Sequence, residues 1–453
     1  MRSPYLTIQR CLRLCLSIGL IGAVGWTASV RYAGAEPPAD PAAMSLAAAV
    51  ENAIEANLEL KQSRQEISAA EANRNVERSN LLPIFSTDYR YTRNDDDTGG
   101  AFAGGFSGTL RDEYSLSATV RQPLFEGFSL INRYEIADIG IDVAGLNQRI
   151  TRLEVIFLTK RAYFTVLKNQ KLVLVALDSV KLLEAQVDVA RNFYEVGMTP
   201  LNDLLQVQVE LANAKQDLTV AQNNLNIAES EFNIILRRPV NAPVNLIDIT
   251  EYQPLIRDLD RFLSLAEENR FDLLVADLQI QVAEKEVTVA RSGYYPSVNL
   301  EATWFRRGAN WDLSDQEEFL DPDGWSVAGV ASWNFWEWGR TAYNEKEKTH
   351  RLAQVRLEKQ RTLDTARLEV ERAFLNAKQS EKNIVTVEAA IEQARENWRI
   401  TQERFKEQVA TSTDLLVAQN LLVRTQNNYF NALYDFKIAK AALQRAINLE
   451  MRE

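Results

Sequence analysis

Two long stretches of the chain carry apolar residues at alternating steps of three and four. In the first, Val180, Leu183, Val187, Ala190 and Tyr194 lead into the segment YEVGMTPLNDLL. Leu204, Val207, Leu211, Ala214, Leu218, Ala221, Leu225, Ala228, Phe232 and Ile235 continue the pattern. In the second, Ile391, Ala394, Trp398, Thr401 and Phe405 lead into FKEQVATSTDLL. Leu415, Ala418, Leu422, Thr425, Tyr429, Ala432, Phe436, Ala439, Leu443 and Ala446 follow. Such spacing is a heptad seam, so each stretch predicts a helix, a sharp turn and a returning helix. Tyr194 and Phe405 stand 211 residues apart, and Asp203-Leu204-Leu205 meets Asp414-Leu415-Leu416 at the same offset. The chain reads as a duplication.

Upstream of each seam the period changes. Ser45–Asn80 predicts a helix, with Ser45 as N-cap and Leu46, Val50, Ile54 and Leu58 on one face; Pro83 stops it. Then the period is two: Phe85, Thr87, Tyr89 and Tyr91 alternate with Ser86, Asp88, Arg90 and Thr92. Tyr114, Leu116, Ala118 and Val120 alternate with Ser115, Ser117, Thr119 and Arg121, so residues 84–122 predict a β-hairpin. Gln122-Pro123-Leu124-Phe125-Glu126-Gly127 is expected to close its second strand. A long helical hairpin over 130–238 follows, with Gly197 and Pro200 breaking it at the turn.

The second copy repeats this order. Helices are expected over 259–292, Pro296 matches Pro83, a hairpin covers 297–336, and a long helical hairpin covers 341–448. The expected organisation is a signal peptide at 1–35, an extended leader at 36–44, a first structural repeat at 45–240, a linker at 241–258 and a second repeat at 259–453. A helix of about 65 residues spans on the order of 100 Å, which suits a coiled-coil column rather than a globular core.

Each expected strand has an apolar, aromatic face and a polar one, and about ten residues is enough for a tilted strand to cross an outer membrane. A soluble, half-buried hairpin is the other reading. Four strands in lipid cannot leave open edges, because each unpaired backbone group costs several kcal/mol. The chain is therefore expected to share a barrel with copies of itself. Two copies would supply eight strands, which fill with side chains; three would supply twelve, enough for a channel. The Ser- and Thr-rich faces suit a water-filled lumen. Trp304, Trp325 and Trp333 are candidates for a belt at the membrane interface. Ordinary corner packing is the expectation for Trp336 and Trp338.

Composition narrows the picture. The chain has 453 residues, and its body has no apolar run long enough for a membrane helix. Residues 1–35 resemble a secretory signal: Arg2, Arg10 and Arg13 precede the apolar Leu14–Trp26, and Ala33-Gly34-Ala35 offers a cleavage site. Both cysteines, Cys11 and Cys15, lie in that segment, so no disulfide is expected in the body. The formal charge is −11, and it becomes four units more negative without the arginines of the signal segment. That argues against nucleic acid as a partner. No nucleophile–base pair, Cys/His metal cluster or phosphate loop stands out, so neither an enzyme nor a cofactor is expected. His350, the single histidine, lies among Glu and Lys and reads as a surface residue. The acidic stretches Asn94–Asp97 and Asp312–Asp323 read as solvated loops.

The order helix, hairpin, long helix, turn and helix, given twice, resembles the TolC-like outer membrane efflux protein family. The resemblance covers residues 45 to 448. Its motifs are Gln122-Pro123-Leu124-Phe125, Val196-Gly197-Met198-Thr199 and Thr413-Asp414-Leu415-Leu416 with Ala418-Gln419. It implies a mainly α fold with a membrane β-barrel portion, assembled as a homotrimer with a 12-stranded barrel and a coiled-coil α-helical tunnel. It further implies an export duct in the cell outer membrane, with its helical portion in the periplasm. Such a duct docks to a periplasmic adaptor and to an inner-membrane pump or type I secretion ATPase. A purely structural periplasmic coiled-coil adaptor or spacer is the competing function, and two lipid-facing hairpins argue against it.

In the family an acidic ring narrows the tunnel at its periplasmic tip. Asp414 falls on one such position, while Val417 stands at a second acidic position. Asp414 and its repeat mate Asp203 are thus candidates for a pore constriction, where three-fold symmetry would raise their pKa values. The alternative is helix N-capping, since each lies at the start of a helix. The candidate docking tips are Val196, Gly197, Met198, Thr199 and Pro200 at the first turn. At the second they are Gln408, Val409, Ala410, Thr411 and Ser412. Gln408 departs from the glycine common at its position. The first turn keeps the Gly/Pro form suited to docking; the second is the better candidate for the gate.

Overall fold

The structure is a computed structural model. It describes residues 43–95, 100–102, 105–107, 112–249, 254–255, 258–314 and 322–449. The expected signal segment and residues 36–42 of the leader lie outside the described residues. So do 96–97 of the first acidic loop, 315–321 of the second, and 250–253 and 256–257 of the linker.

The chain opens on α1 (Leu46–Ala56) and α2 (Leu58–Ser79). Ser45 caps α1 by accepting from the Ala48 N–H. The single helix expected over Ser45–Asn80 is broken at Asn57, whose extended backbone lets its side chain accept from the Leu60 N–H. Asn bonds its own nearby backbone readily, so a periodic apolar face does not prevent a break there.

Four strands build the main sheet: β1 (Ile84–Arg93), β4 (Asp112–Glu126), β5 (Ser297–Gly308) and β6 (Asp323–Ser332), side by side in that order and all antiparallel. The short strands β2 (Gly100–Phe102) and β3 (Gly105–Ser107) pair with each other in the loop between β1 and β4. Two expectations are corrected here. The first hairpin does not end at 122, because β4 runs on through Pro123 to Glu126. The register shifts between Pro123 and Phe125, and a bulge is where a residue without an N–H is tolerated inside a sheet. In the second hairpin β6 stops at Ser332, although the apolar alternation continues to Phe335.

Each hairpin feeds a long helix: α3 (Ser129–Glu195) with its return α4 (Leu201–Ile235), and α7 (Arg340–Lys406) with α8 (Ser412–Ala446). Between the halves lie α5 (Leu259–Asn269) and α6 (Phe271–Arg291), broken at Arg270 as α1 and α2 are at Asn57. Arg270 uses that break to reach Asp272, Glu369 and the Ala446 carbonyl. Both 67-residue helices span on the order of 100 Å. Among the described residues no helix is long and apolar enough to cross a membrane.

The heptad seams are buried as spaced. Val180, Leu183, Val187 and Ala190 pack on Leu204, Val207 and Ala214. Ala366, Ala373, Ala377 and Ala394 are buried in the second half, with Ser380 half-buried. A mid-column core gathers α1, α3, α4 and α8 around Tyr163, Phe232 and Tyr434. The Tyr163 hydroxyl donates to the Met44 and Ile247 carbonyls, tying both chain entry and linker to α3. Burial pushes Tyr163 up to about 12, against the pull of its bond to Ile247. Tyr434 donates to Asp248, which also pairs with Lys171; burial is the main cause that raises the Tyr434 hydroxyl.

Candidate functional site

The two turns at the far ends of the columns have one backbone geometry. At the first, α3 ends at Glu195 and Gly197 takes the left-handed conformation, φ +75°. The Met198 N–H donates to the Phe193 carbonyl at 2.8 Å and the Gly197 N–H to the Tyr194 carbonyl at 2.9 Å. At the second, Gln408 takes the left-handed step, φ +61°. The Val409 N–H donates to the Arg404 carbonyl at 2.8 Å and the Gln408 N–H to the Phe405 carbonyl at 3.0 Å. These are the wrapped bonds that finish a helix on a left-handed residue. Gln408 thus occupies the position that glycine fills at the first tip, and does so with a side chain.

The return helices start differently. Thr411 is the N-cap of α8, and its hydroxyl accepts from the Asp414 N–H at 3.2 Å. The Asp414 carboxylate in turn accepts from the Thr411 N–H at 2.9 Å and the Thr411 hydroxyl at 2.7 Å, both on Oδ2. This is a reciprocal capping box. Hydrogen bonds from the Thr411 backbone and side chain hold the Asp414 carboxyl below its ordinary value. The rise expected from three-fold symmetry concerned an assembly; inside one chain the direction is downward. At the first tip the N-cap is Pro200. Proline has neither an N–H nor a hydroxyl, so Asp203 has no such box to enter; its own N–H donates to the Pro200 carbonyl at 3.1 Å.

The tips also touch. Phe193 and Phe405 face each other with ring centroids 6.0 Å apart. The Thr413 hydroxyl donates to Gln206 Oε1 at 3.2 Å, joining α8 to α4. Leu416 lies buried in the seam of the first hairpin. Val196, Met198, Pro200, Val409 and Thr411 are exposed, Thr199 and Ala410 half-buried, and Ser412 buried. Gln206 and Phe193 escaped the sequence reading, and Leu416 was read as part of a motif but not as a residue of the first hairpin's seam. Gln206 is visible only once α4 and α8 are neighbours, and Phe193 only once the ends of α3 and α7 meet. The Thr411–Asp414 box, in contrast, is written in the spacing Thr-x-x-Asp.

At the other end of the columns the sheet has two unlike faces. Tyr91 lies opposite Tyr114 with rings 4.8 Å apart, Ala118 opposite Trp304, and Trp304 opposite Trp325. On the reverse face Thr119 and Thr303 hydroxyls meet at 3.2 Å, and Arg121 pairs with Glu301 at 2.7 Å. Trp304, Trp325 and Trp333 are exposed in the single chain. Within the single chain corner packing does not cover Trp336 and Trp338, which are 68% and 85% exposed. Their rings meet edge to face, centroids 5.7 Å apart, where the chain turns into α7.

A family model described as "Outer membrane efflux protein" matches residues 49–233 and again 262–449. The chain belongs to the outer membrane efflux protein family. Relatives in the family include outer membrane efflux protein BepC of Brucella suis, 21% identical over 89% of this chain and 85% of its own length. Outer membrane protein TolC of Escherichia coli is 23% identical over 54% of this chain and 49% of its own length. Among solved structures, the CmeC outer membrane channel of Campylobacter jejuni superposes with a TM-score of 0.78 at 17% identity. That match covers 89% of this chain and 85% of the other. The open-state MtrE channel of Neisseria gonorrhoeae gives 0.74 at 18% identity, over 89% of each chain. The resemblance read from the motifs is therefore correct, and the protein is an outer membrane export channel. Its family is one of channels and not of enzymes.

Proposed function

We propose that three copies of this protein form one duct across the outer membrane and into the periplasm. One observation carries the reading: among the described residues the main sheet ends on two open edges, with β1 bonded only to β4 and β6 only to β5. In lipid, such edges are tolerated only when closed on another strand. Closure of β6 on β1 of a neighbouring copy makes a barrel with no edge. Three copies give twelve strands, wide enough for an aqueous lumen lined by Thr119, Arg121, Glu301 and Thr303. The opposite face turns Trp304, Trp325 and Trp333 to outer membrane lipid. α3, α4, α7 and α8 of each copy continue the barrel as a twelve-helix tunnel. Residues 45–240 and 259–453 act as the two structural repeats, joined by 241–258.

The tips lie at the ends of the columns farthest from the sheet, deepest in the periplasm. There Val196–Pro200 and Gln408–Ser412 dock on a periplasmic adaptor serving an inner-membrane pump or type I secretion ATPase. Asp203 and Asp414 narrow the duct. Both sit in the first turn of a return helix, which supports a common depth in the tunnel. The test is reconstitution in planar bilayers. Asp414→Ala is expected to raise conductance or weaken block by multivalent cations, and Asp203→Ala to add to that effect. Conductance and block unchanged in both would remove the two carboxylates from the constriction. A native mass other than three chains would overturn the trimer.

A further inference from the structure

The repeat can be read through the barrel–column junction residue by residue. Ser79-Asn80-Leu81-Leu82-Pro83 at the end of α2 matches Ser292-Gly293-Tyr294-Tyr295-Pro296 at the end of α6. Even a hydroxyl repeats: Ser79 donates to the Val76 carbonyl and Ser292 to the Val289 carbonyl, both at 2.7 Å. The corners match too. Gly127 and Phe128 are both left-handed, φ +58° and +70°, and so are Trp338 and Gly339, φ +52° and +81°. Glu126 and Glu337 precede them.

Within the chain, the first corner is docked. Phe125 and Phe128 set their rings edge-on to Tyr295, centroids 6.3 and 5.9 Å away. Gly127 lies so close to α6 that a Cβ there would be 2.5 Å from the Ser292 carbonyl oxygen. Among the described residues the second corner has no such aromatic partner: β6 has β5 on one side only, and α7 has α6 on one side with no further helix in the place that α6 takes beside α3. The matching surface, the end of α2 and the start of β1, is equally open: Val76, Leu82 and Ile84 are exposed.

We infer that the Trp336–Gly339 corner docks on the Ser79–Leu82 turn of a second copy, in a seam that Trp338 holds wider than the seam inside the chain. The proposal rests on the trimeric reading above. Trp336 takes the place of Phe125, and Leu82 of the second copy takes the place of Tyr295. The departure lies at Trp338, which stands where Gly127 allows contact with backbone. A Cβ cannot enter that space, so the second copy must stand off and the indole fills the gap. The junction then alternates three tight seams within chains with three wedged seams between them. Apolar burial favours protein over water for this patch, and the repeat supplies the matching surface.

The test is cross-linking in membranes, with Cys11 and Cys15 changed to Ser. Leu82→Cys combined with Trp336→Cys should yield linked dimers and trimers on a non-reducing gel with a short thiol cross-linker. Neither single variant should do so. Adding Trp338→Gly should raise the rate several-fold, since the wedge is gone. A chain that assembles as a trimer by native mass yet gives no cross-link overturns the seam and leaves the trimer standing. Labelling of Trp336→Cys by a lipid-anchored maleimide would then put the corner in lipid. An unchanged or lower rate with Trp338→Gly overturns the wedge. Failure of the parent chain to assemble overturns the trimer and the seam together.

Discussion

At the first tip a glycine takes the left-handed step and a proline starts the return helix; at the second a glutamine takes the step and a threonine starts it. The left-handed backbone is free for Gly197, and costs Gln408 about 1–2 kcal/mol. The cap reverses the order. Thr411 and Asp414 satisfy each other, whereas Pro200 offers no side-chain cap. The tips therefore share a shape while placing their strain at different residues. The comparison also separates the two carboxylates: Asp414 is engaged by its own cap, and Asp203 is not held by a capping box. A third contrast lies two residues further on. Leu416 is 3% exposed in the seam of the first hairpin, while its repeat mate Leu205 is 49% exposed.

The leucine pair gives the largest expected difference. Leu416→Ala should destabilise the tips by about 2–4 kcal/mol, because it leaves a cavity in a packed seam. Leu205→Ala should cost under about 0.5 kcal/mol in the separated chain. Hydrogen exchange of the tip amides would measure both, and equal losses would break the contrast. Next is the left-handed step. Gly197→Ala should cost about 1–2 kcal/mol, and Gln408→Gly should gain up to about 1 kcal/mol. Open space around Gly197 means that any loss reports backbone strain and not a clash. The cap follows: Thr411→Ala should loosen the second tip by about 1 kcal/mol, with the first tip unmoved.

The smallest effect is one of pH. The Asp414 carboxyl is held low by Thr411, so its contribution is complete above the unfolded value of about 3.9 and is lost as pH falls through the lower folded value. Protection from exchange at the second tip, relative to the unfolded chain at the same pH, should fall over that acid range, and Asp414→Asn should abolish that change in protection. A tip whose protection does not change below about pH 4 would remove the box as a working contact.

Much of the architecture was legible because its signals are local or periodic. The three-four seam marks α3, α4, α7 and α8 to within a residue or two at most ends. Period two marks the faces of β1, β4, β5 and β6. Pro83 and Pro296 stop the helices before the strands, and Gly197 announces the first turn. The breaks at Asn57 and Arg270 did not show, since a helical stripe can continue in phase across one extended residue. Pro123 read as a strand end because a bulge depends on the neighbouring strand. Trp336 and Trp338 read as corner packing because spacing cannot tell which surface receives a side chain.

By itself, then, the sequence determined the duplicated order, the period of each element and the chemistry available at each tip. Those depend on hydrogen bonding and apolar spacing within one segment. Only the tertiary structure decided that Leu416 is covered while Leu205 is open, that Gln206 meets Thr413, and that Gly127 is docked where Trp338 stands free. Two copies of one pattern receive different neighbours when they share a chain, because β4 and α3 of the first half have β5 and α6 beside them, whereas β6 of the second half is an open edge. Burial is a property of neighbours, so matched residues in matched elements acquire different roles.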